Sequence, residues 1–277
     1  MKLHYNVCII KFLHSDAWLE LAELIYFSLR ELGFKVEIQY SQIEPGCRNI
    51  VFGAFLLNPE IVKRVPSDTI FVNTEQLHSN IHNSWPSNIY DLASLFETWD
   101  YSDKNIEIFH SKGIKNIKKL NIGYQAELNR IKSVDIQDID ILFYGTIKER
   151  RKKIIDELIA RGLKVHVLFG IYGSNRDKFI SRSKIVLNLH HYDSHIFEIV
   201  RVFYLLSNQK AVVGEVGNST SIETRFLECI ESSPYDELVE TCIRLTRNND
   251  ERIALEKRSF EKFSSRPQIL LTSELIS

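Results

Sequence analysis

The stretch from Lys184 to Gly217 constrains the fold most, because two apolar runs flank a polar loop and a second segment that is apolar almost throughout. Ile185 to Leu189 and Ala211 to Gly214 have the length and composition of strands that are buried on both faces. Between them, Ile196 to Leu206 predicts a buried helix, since only two charged residues interrupt its apolar positions. A strand, a helix and a second strand in this order form a βαβ unit of parallel sheet. The stretch therefore predicts an α/β fold.

Glu198 and Arg201 are the two charged residues in the predicted helix, three positions apart and therefore on one helical face. They stand near its N-terminal end, where unpaired backbone N–H groups and the helix dipole favour anions. Two charges on an otherwise apolar helix indicate contact with a ligand. The alternative is a buried ion pair between them, although such pairs are weak evidence for stability.

Strand and helix patterns alternate along two separate parts of the chain, which predicts two domains. The first alternation begins at Tyr5, and the second restarts with a predicted strand from Ile139 to Tyr144, after the polar and less periodic segment Tyr124 to Gln137. We therefore expect a Rossmann-like, doubly wound α/β domain over residues 1–124 and another over residues 138–262, with residues 263–277 packing back on the first. Within the second domain, Thr220 to Ser232 is expected to form a helix.

Charge and composition exclude several classes of function. A formal net charge of −1 over 277 residues gives no basic footprint for DNA or RNA, so no nucleic-acid partner is expected. The four cysteines are widely spaced and form no CxxC pair, which favours reduced thiols and a cytoplasmic protein. No stretch has the length of a membrane span, and the N-terminus lacks the pattern of a signal peptide, which leaves peripheral membrane contact open.

Ligands of open α/β sheets bind beyond the carboxyl ends of the strands, so the loops after four strands of the second domain should converge. Their glycines allow close approach of the backbone, their arginines and helix N-termini bind phosphate oxygens, and their carboxylates accept hydrogen bonds from sugar hydroxyls. This chemistry predicts a site for a nucleotide diphosphate sugar. The candidate donor-binding residues are Gly145, Thr146, Arg150, Arg151, Tyr172, His190, Ser194, Phe197, Glu198, Arg201 and Glu215.

The segment VLNLHHYDSHIFEIVRVFYLLSNQKAVVGE resembles the donor-binding segment of GT-B glycosyltransferases, especially the bacterial group 1 and spore-maturation-type families. DILFYGTIKERR resembles the first strand and the diphosphate loop of the same domain. The resemblance implies two Rossmann-like domains facing a central cleft, with Glu198 binding the ribose or the sugar of the donor. Many retaining members carry a second glutamate eight positions further on, where this chain has Leu206, so the stereochemical outcome stays open.

The implied function is transfer of a sugar from a nucleotide diphosphate donor to a hydroxyl of a bacterial glycan or another surface-polymer precursor. Arg150, together with Arg151, would neutralise the diphosphate leaving group, so neither a metal nor another cofactor is expected. An inverting transferase needs a base to deprotonate the acceptor hydroxyl. Glu75, which follows an apolar strand of the first domain, is the first candidate, and Asp100 and His14 also follow predicted strands.

Other interpretations stay open on the sequence alone. A non-catalytic scaffold could keep the nucleotide site, because no base is uniquely indicated. A DNA-modifying glucosyltransferase is disfavoured by the net charge, although Lys112 to Lys119 forms a local basic strip. Two patterns suggest metal ligands only weakly. His78 and His82 have helical ligand spacing without a clear further ligand, and Asp138-Ile139-Asp140 matches a DxD signature but precedes its strand.

Overall fold

The computed structural model describes residues 4–77, 85–192 and 195–277. The chain forms two compact units, one made of Met1–Gln125 with Pro267–Ser277 and the other of Ala126–Arg266. Within the described residues, each unit contains one sheet whose neighbouring strands all run parallel. The chain therefore has an α/β fold with two Rossmann-like domains.

Strands and helices alternate along both units. In the described ranges the strands are β1 (His4–Ile9), β2 (Lys35–Tyr40), β3 (Arg48–Phe52), β4 (Ile70–Asn73), β5 (Glu97–Asp100), β6 (Ile117–Lys119), β7 (Ile139–Tyr144), β8 (Val165–Leu168), β9 (Ser183–Asn188), β10 (Ala211–Glu215) and β11 (Glu231–Ser233). The α-helices are α1 (Leu19–Glu31), α2 (Pro59–Val62), α3 (Trp85–Leu95), α4 (Asp103–Ser111), α5 (Glu149–Ala160), α6 (Gly173–Arg182), α7 (Ile199–Ser207), α8 (Thr224–Leu227), α9 (Leu238–Arg247), α10 (Asn249–Ser264) and α11 (Gln268–Ile276).

The sheet of the first unit has the strand order β2-β1-β3-β4-β5-β6. Every residue of β1 and β4 except His4 is buried, as expected of parallel strands that are covered on both faces. Helix α11 belongs to this unit and lies against α1, where Thr272 Oγ1 is 2.8 Å from Ser28 Oγ. The side chain of Gln268 is fully buried and accepts a hydrogen bond from Gly123 N at 2.6 Å. The C-terminal helix is thus part of the first domain's packing.

The sheet of the second unit has the strand order β11-β10-β9-β7-β8. One face packs on α5 and α9 through a continuous apolar cluster that includes Phe143, Leu158, Leu187 and Cys242. Helix α7 carries seven buried residues out of nine, which is why its sequence has no solvent-facing side.

Two predicted elements of the second unit are wrong in their extent. The predicted helix Thr220 to Ser232 is instead the single turn α8 followed by β11, which extends the sheet by pairing parallel to β10. The predicted helix from Ile196 begins only at Ile199, because Phe197 N donates to Ser221 O at 3.1 Å and holds this segment extended. Glu198 therefore occupies the N-cap position of α7, without a side-chain hydrogen bond to the helix, and is not a residue of its first turn.

Candidate functional site

The carboxyl ends of β7, β9 and β10 bring together a group of polar side chains in the second unit. From β7 the chain continues through α5 to β8, which lies on one side of β7. From β9 it continues in the opposite direction along the sheet, through α7 to β10. The gap between β7 and β9 is therefore a topological switch point, where ligands of such sheets bind. We call the following residues the switch-point cluster: Gly145, Arg150, Arg151, Asn188, His190, His191, Glu198, Arg201 and Glu215.

Glu198 is one of the two buried carboxylates of the cluster, together with Glu215. Its Oε2 accepts a hydrogen bond from Asn188 Nδ2 at 3.0 Å and lies 3.6 Å from His190 Nδ1. Its Oε1 lies 3.5 Å from Arg151 Nη2, which is longer than a good hydrogen bond. Burial raises the pKa of Glu198, but His190, Arg201 and Arg151 together outweigh burial and hold it below its ordinary value. The group is therefore ionised at neutral pH.

Arg201, in the first turn of α7, is the guanidinium that the cluster leaves incompletely bonded. It lies over the ring of Tyr144 at 5.3 Å, and its buried Nη1 has no hydrogen-bond partner among the described residues. Gly145 lies beside it, since a Cβ at that position would stand 3.4 Å from Arg201 Nη2, in ordinary van der Waals contact. The ion pairs found for Glu198 are to Arg151 and His190. The alternative of a simple Glu198–Arg201 pair therefore fails in the described part of the chain.

Arg150 is held by Glu215, at the end of β10. Its Nη1 donates to Glu215 Oε2 at 2.6 Å, and its Nη2 contacts Glu215 Oε1. The guanidinium also lies 4.2 Å from the centre of the Tyr235 ring. Glu215 is buried and additionally accepts from His190 N at 3.0 Å. Glu215 thus orients Arg150 and the β9–α7 loop, which differs from the donor contact predicted for it.

Arg151 joins two loops of the site in this structure, and its predicted role in neutralising a diphosphate stays a prediction. Its side chain is 3% exposed, and it donates to the carbonyls of Thr146 at 2.9 Å and Leu189 at 2.5 Å. These bonds tie the loop after β7 to the loop after β9. Burial and repulsion from Arg201 lower the pKa of Arg151 to about 10, so it still carries its charge at neutral pH.

His190 and His191 complete the floor of the cluster. His190 is buried, and its Nε2 lies 3.2 Å from Thr220 Oγ1. Thr220 was not among the site residues predicted from the sequence. Burial and the charges of Arg151 and Lys148 lower the pKa of His191 to about 4, so it is neutral at pH 7. The Nδ1 of His191 is buried without a hydrogen-bond partner among the described residues. A small polar residue in a loop carries no sequence signal that could have identified Thr220.

The remaining predicted donor-binding residues occupy different surroundings. Phe197 is 2% exposed and packs on Gly214, so its ring lies in the core, and its predicted donor contact stays a prediction. Tyr172 caps α6 and is half-buried, whereas Thr146 is exposed. Ser194 lies outside the described residues.

A pocket of ≈ 370 Å³ lies at the N-terminus of α5. It is lined by Lys148, Glu149, Arg150, Arg151, His190 and His191. The cap residue Lys148 makes no side-chain hydrogen bond to the helix, so the first N–H groups of α5 are not capped by it. Cationic side chains, a helix N-terminus and buried polar atoms without partners together favour a bound anion.

Of the three candidate bases of the first unit, Glu75 follows β4, Asp100 is the last residue of β5 and His14 follows β1. Glu75 is half-buried, burial raises its pKa, and its carbonyl accepts from Asn105 Nδ2 at 2.9 Å. Burial raises the pKa of Asp100 to about 7, although the hydrogen bonds that Asp100 accepts from Asn73 and Ser102 favour its charged form and lower the pKa. Asp100 has no exposed surface, so here it fixes the loop and does not face an acceptor. His14 is half-buried and precedes the 3-10 turn Ser15–Trp18.

The weaker sequence patterns have structural partners where they are described. Asp138 pairs with Arg182 through two hydrogen bonds, and Asp140 pairs with Lys184 at 2.7 Å, both at the amino end of β7. His78 and His82 lie outside the described residues, and within the described ranges no three His, Cys, Asp or Glu residues are grouped to hold a metal ion.

The basic strip is partly neutralised. Lys118 lies 3.6 Å from Glu97 and Lys119 lies 2.8 Å from Asp103, so two of its lysines already have acidic partners. No helix within the described ranges is long and apolar enough to cross a bilayer.

The sequence is similar to proteins of the giant virus Acanthamoeba polyphaga mimivirus. The uncharacterized protein L140 is 24% identical over 244 residues, which are 85% of this chain and 75% of L140. The uncharacterized protein L138 is 28% identical over 181 residues, or 58% of this chain and 20% of L138. No protein-family model matches the chain.

Three solved structures share the architecture over nearly their whole length. Anabaena HepE in complex with UDP-glucose has a TM-score of 0.63 at 10% identity and covers 99% of this chain and 98% of its own. WaaG, a glycosyltransferase involved in lipopolysaccharide biosynthesis, has a TM-score of 0.61 at 9% identity and covers 98% of each chain. T4 phage BGT in complex with UDP and Mn²⁺ has a TM-score of 0.60 at 11% identity, covering 99% and 98%. The chain therefore has the fold of the GT-B glycosyltransferases, with two Rossmann-like domains, each built on a parallel sheet.

Proposed function

We propose that this protein is a glycosyltransferase that binds a nucleotide diphosphate sugar at the switch-point cluster and transfers the sugar to a hydroxyl of a glycan or surface-polymer precursor. The observation that carries the proposal is that two oppositely charged side chains at the switch point each have a buried polar atom without a partner among the described residues. Glu198 Oε1 and Arg201 Nη1 have no hydrogen-bond partner among the described residues. Buried polar atoms of this kind are usually satisfied, so they indicate a ligand.

The chemistry of the two groups matches the two ends of such a donor. Arg201, with the N-terminus of α5, would bind the diphosphate, while Glu198 would accept hydrogen bonds from ribose or sugar hydroxyls. The solved relatives in complex with UDP or UDP-glucose support uridine nucleotides as the first donors to test. We propose that Arg150 stabilises the leaving group only after exchanging part of its contact with Glu215, because both of its η nitrogens face that carboxylate.

Binding of nucleotides tests the donor site directly. UDP should bind in calorimetry, and Arg201→Met should weaken it roughly tenfold to a hundredfold, since a charge-assisted hydrogen bond contributes about 1.5–3 kcal/mol. Arg182→Met is the matched control, because Arg182 pairs with Asp138 at the amino edge of the same sheet. Full UDP binding by the Arg201 variant would contradict the assignment of the donor site.

Turnover separates an enzyme from a nucleotide-binding scaffold. We propose Glu75 as the base of an inverting reaction, because it combines partial exposure with a raised pKa. Glu75→Gln should abolish hydrolysis or transfer of UDP-sugars while UDP binding is kept, and activity should persist in EDTA if no metal is needed. A protein that binds UDP and turns over none of a donor panel with hydroxyl acceptors is a scaffold.

A further inference from the structure

A second pocket lies at the other end of the same sheet. It has a volume of ≈ 680 Å³, within the range of cavities that hold drug-sized ligands. Its lining includes Lys210, which directly precedes β10, and Gln137, which lies just before β7, so it opens at the amino ends of the strands. We call it the amino-edge pocket. The switch-point cluster lies at the carboxyl ends, so the two sites share no residue.

One wall of the amino-edge pocket is a strap formed by residues 129–137. Asn208 fixes its beginning, because Asn208 Oδ1 accepts from Arg130 N at 2.8 Å and Ile131 N at 2.7 Å. Gln137 fixes its end by donating to Ser183 O at 3.0 Å. Between these anchors residues 132–136 are exposed. The wall is therefore held in place by specific bonds at both ends, as expected of a formed site.

Lys210 gives the pocket a buried cation. Its side chain donates to Ser183 O at 2.9 Å, which occupies one of the three N–H groups of the ammonium, although the residue is only 7% exposed. Glu256 attracts this charge, but Glu256 is itself ion-paired with Arg252 at 3.1 Å. Burial outweighs the attraction and lowers the pKa of Lys210 to about 8. Because the ammonium of Lys210 donates to a single acceptor among the described residues, it has N–H groups left for an anionic partner.

The rest of the lining combines apolar surface with further positive charge. Ile131, Val134, Ile253 and Phe260 supply apolar contacts. Lys132 and Lys257 also line the pocket, and with Lys210 the lysines outnumber the lining carboxylates Glu256 and Glu261. The pocket thus offers one buried cation, a basic surrounding and an apolar wall.

We propose that the amino-edge pocket binds a small amphipathic anion, whose carboxylate or phosphate head group contacts Lys210 and whose apolar body lies against Ile131, Val134, Ile253 and Phe260. This site is separate from the proposed donor site and does not depend on it. It assigns a use to a buried lysine whose N–H groups the fold leaves partly unused.

Octyl phosphate and octanoate are suitable probes, with octanol and octylamine as uncharged and cationic controls. Calorimetry with the full chain should detect the two anions, at least about tenfold more tightly than octanol, because a charge-assisted hydrogen bond is lost with the alcohol. The stronger of the two identifies the head group. UDP at saturation should leave their affinity unchanged. Equal binding of octanol, displacement by UDP or no binding of either anion would overturn the proposal.

Two variants test the residues. Lys210→Met should weaken the anions about tenfold or more, and its fold should persist, because Ser183 O keeps its bond from Gln137 and Glu256 keeps Arg252. Ile253→Glu should weaken them as well by placing a like charge at the pocket. Ile159→Glu is its control, since Ile159 is 52% exposed, as Ile253 is 49% exposed, and does not line the pocket. Unchanged affinity in Ile253→Glu, or equal losses in both glutamate variants, would refute the site whatever the stability of Lys210→Met.

Discussion

Gly214 is the point at which the packing of the second unit can be tested most sharply. It lies in β10, where a Cβ would stand 2.8 Å from Ile230 Cδ1 and 2.9 Å from Phe197 Cε2. Both neighbours are at most 3% exposed, so neither can move into solvent. Gly214→Ala should therefore lower the free energy of unfolding by about 1–3 kcal/mol, the usual range for overpacking a core.

Gly217→Ala provides the matched control, because no atom lies within 4 Å of the Cβ that it would add. It should change the free energy of unfolding by less than about 0.5 kcal/mol. Urea unfolding followed by circular dichroism measures both variants under one condition. Phe197→Leu should destabilise the native protein but recover part of the loss in the Gly214→Ala background, since the smaller side chain relieves the contact. Equal stability of the two alanine variants would refute the close packing.

Gly214→Ala should also weaken ligand binding at the proposed donor site. Gly214 adjoins Glu215, and Phe197 adjoins Glu198, so pushing the strand and the ring apart displaces both carboxylates of the switch-point cluster. UDP affinity in calorimetry should fall in Gly214→Ala, measured where the variant is fully folded, and remain unchanged in Gly217→Ala. Loss of stability with intact UDP binding would show that the contact supports the core alone.

Three further outcomes are expected. Burial raises the pKa of Asp100 from 3.8 to about 7, so the stability that its protonation contributes is fully present below about pH 4 and is lost as pH rises through 7. This contribution should fall by about 4 kcal/mol over the window, and Asp100→Asn should remove it, measured as the difference from the wild type in urea titrations at pH 4 and pH 8. Arg150→Met leaves the buried carboxylate of Glu215 without its charged partner and should cost about 3 kcal/mol, whereas Arg182→Met should have little effect on unfolding. Asn208→Ala removes four hydrogen bonds made by one buried amide and should cost about 2–4 kcal/mol, with faster proteolysis of the strap as a second readout.

The fold could be predicted where buried parallel strands leave a local signal. Ile139–Tyr144 was predicted with the bounds that the structure has, because an apolar run between polar segments is sufficient to define such a strand. The start of α7 could not be predicted in the same way. Ile196 and Phe197 have the composition of a buried helix, yet Ile196 forms a bridge with Ser221, a contact that only the folded chain provides.

The sequence predicted where the candidate site lies better than it predicted what each of its residues contacts. The rule that ligands bind at the carboxyl ends of strands groups Arg150, His190 and Glu215 correctly by proximity. It cannot distinguish Arg150 from Arg151, because neighbours on a helix point in directions about 100° apart and the core decides which one turns inwards. Arg151 turned inwards and binds backbone carbonyls, while Arg150 is 34% exposed.

The arrangement of charges explains why Arg201 is the residue to expect at the anion. Glu215 is bound to Arg150 and to His190 N, so Arg150 needs no further anion to be stable. Arg151 is satisfied by carbonyls that are fixed in the loops. Among the described residues, Arg201 contacts the face of Tyr144 and is attracted by Glu198, and its buried Nη1 has no hydrogen-bond partner there. Since the other cations are held before any ligand arrives, the proposed diphosphate would meet Arg201 first, and only Arg150 would have to exchange part of its contact with Glu215 to stabilise the leaving group. A charged site that is largely organised in advance in this way binds or stabilises charge effectively.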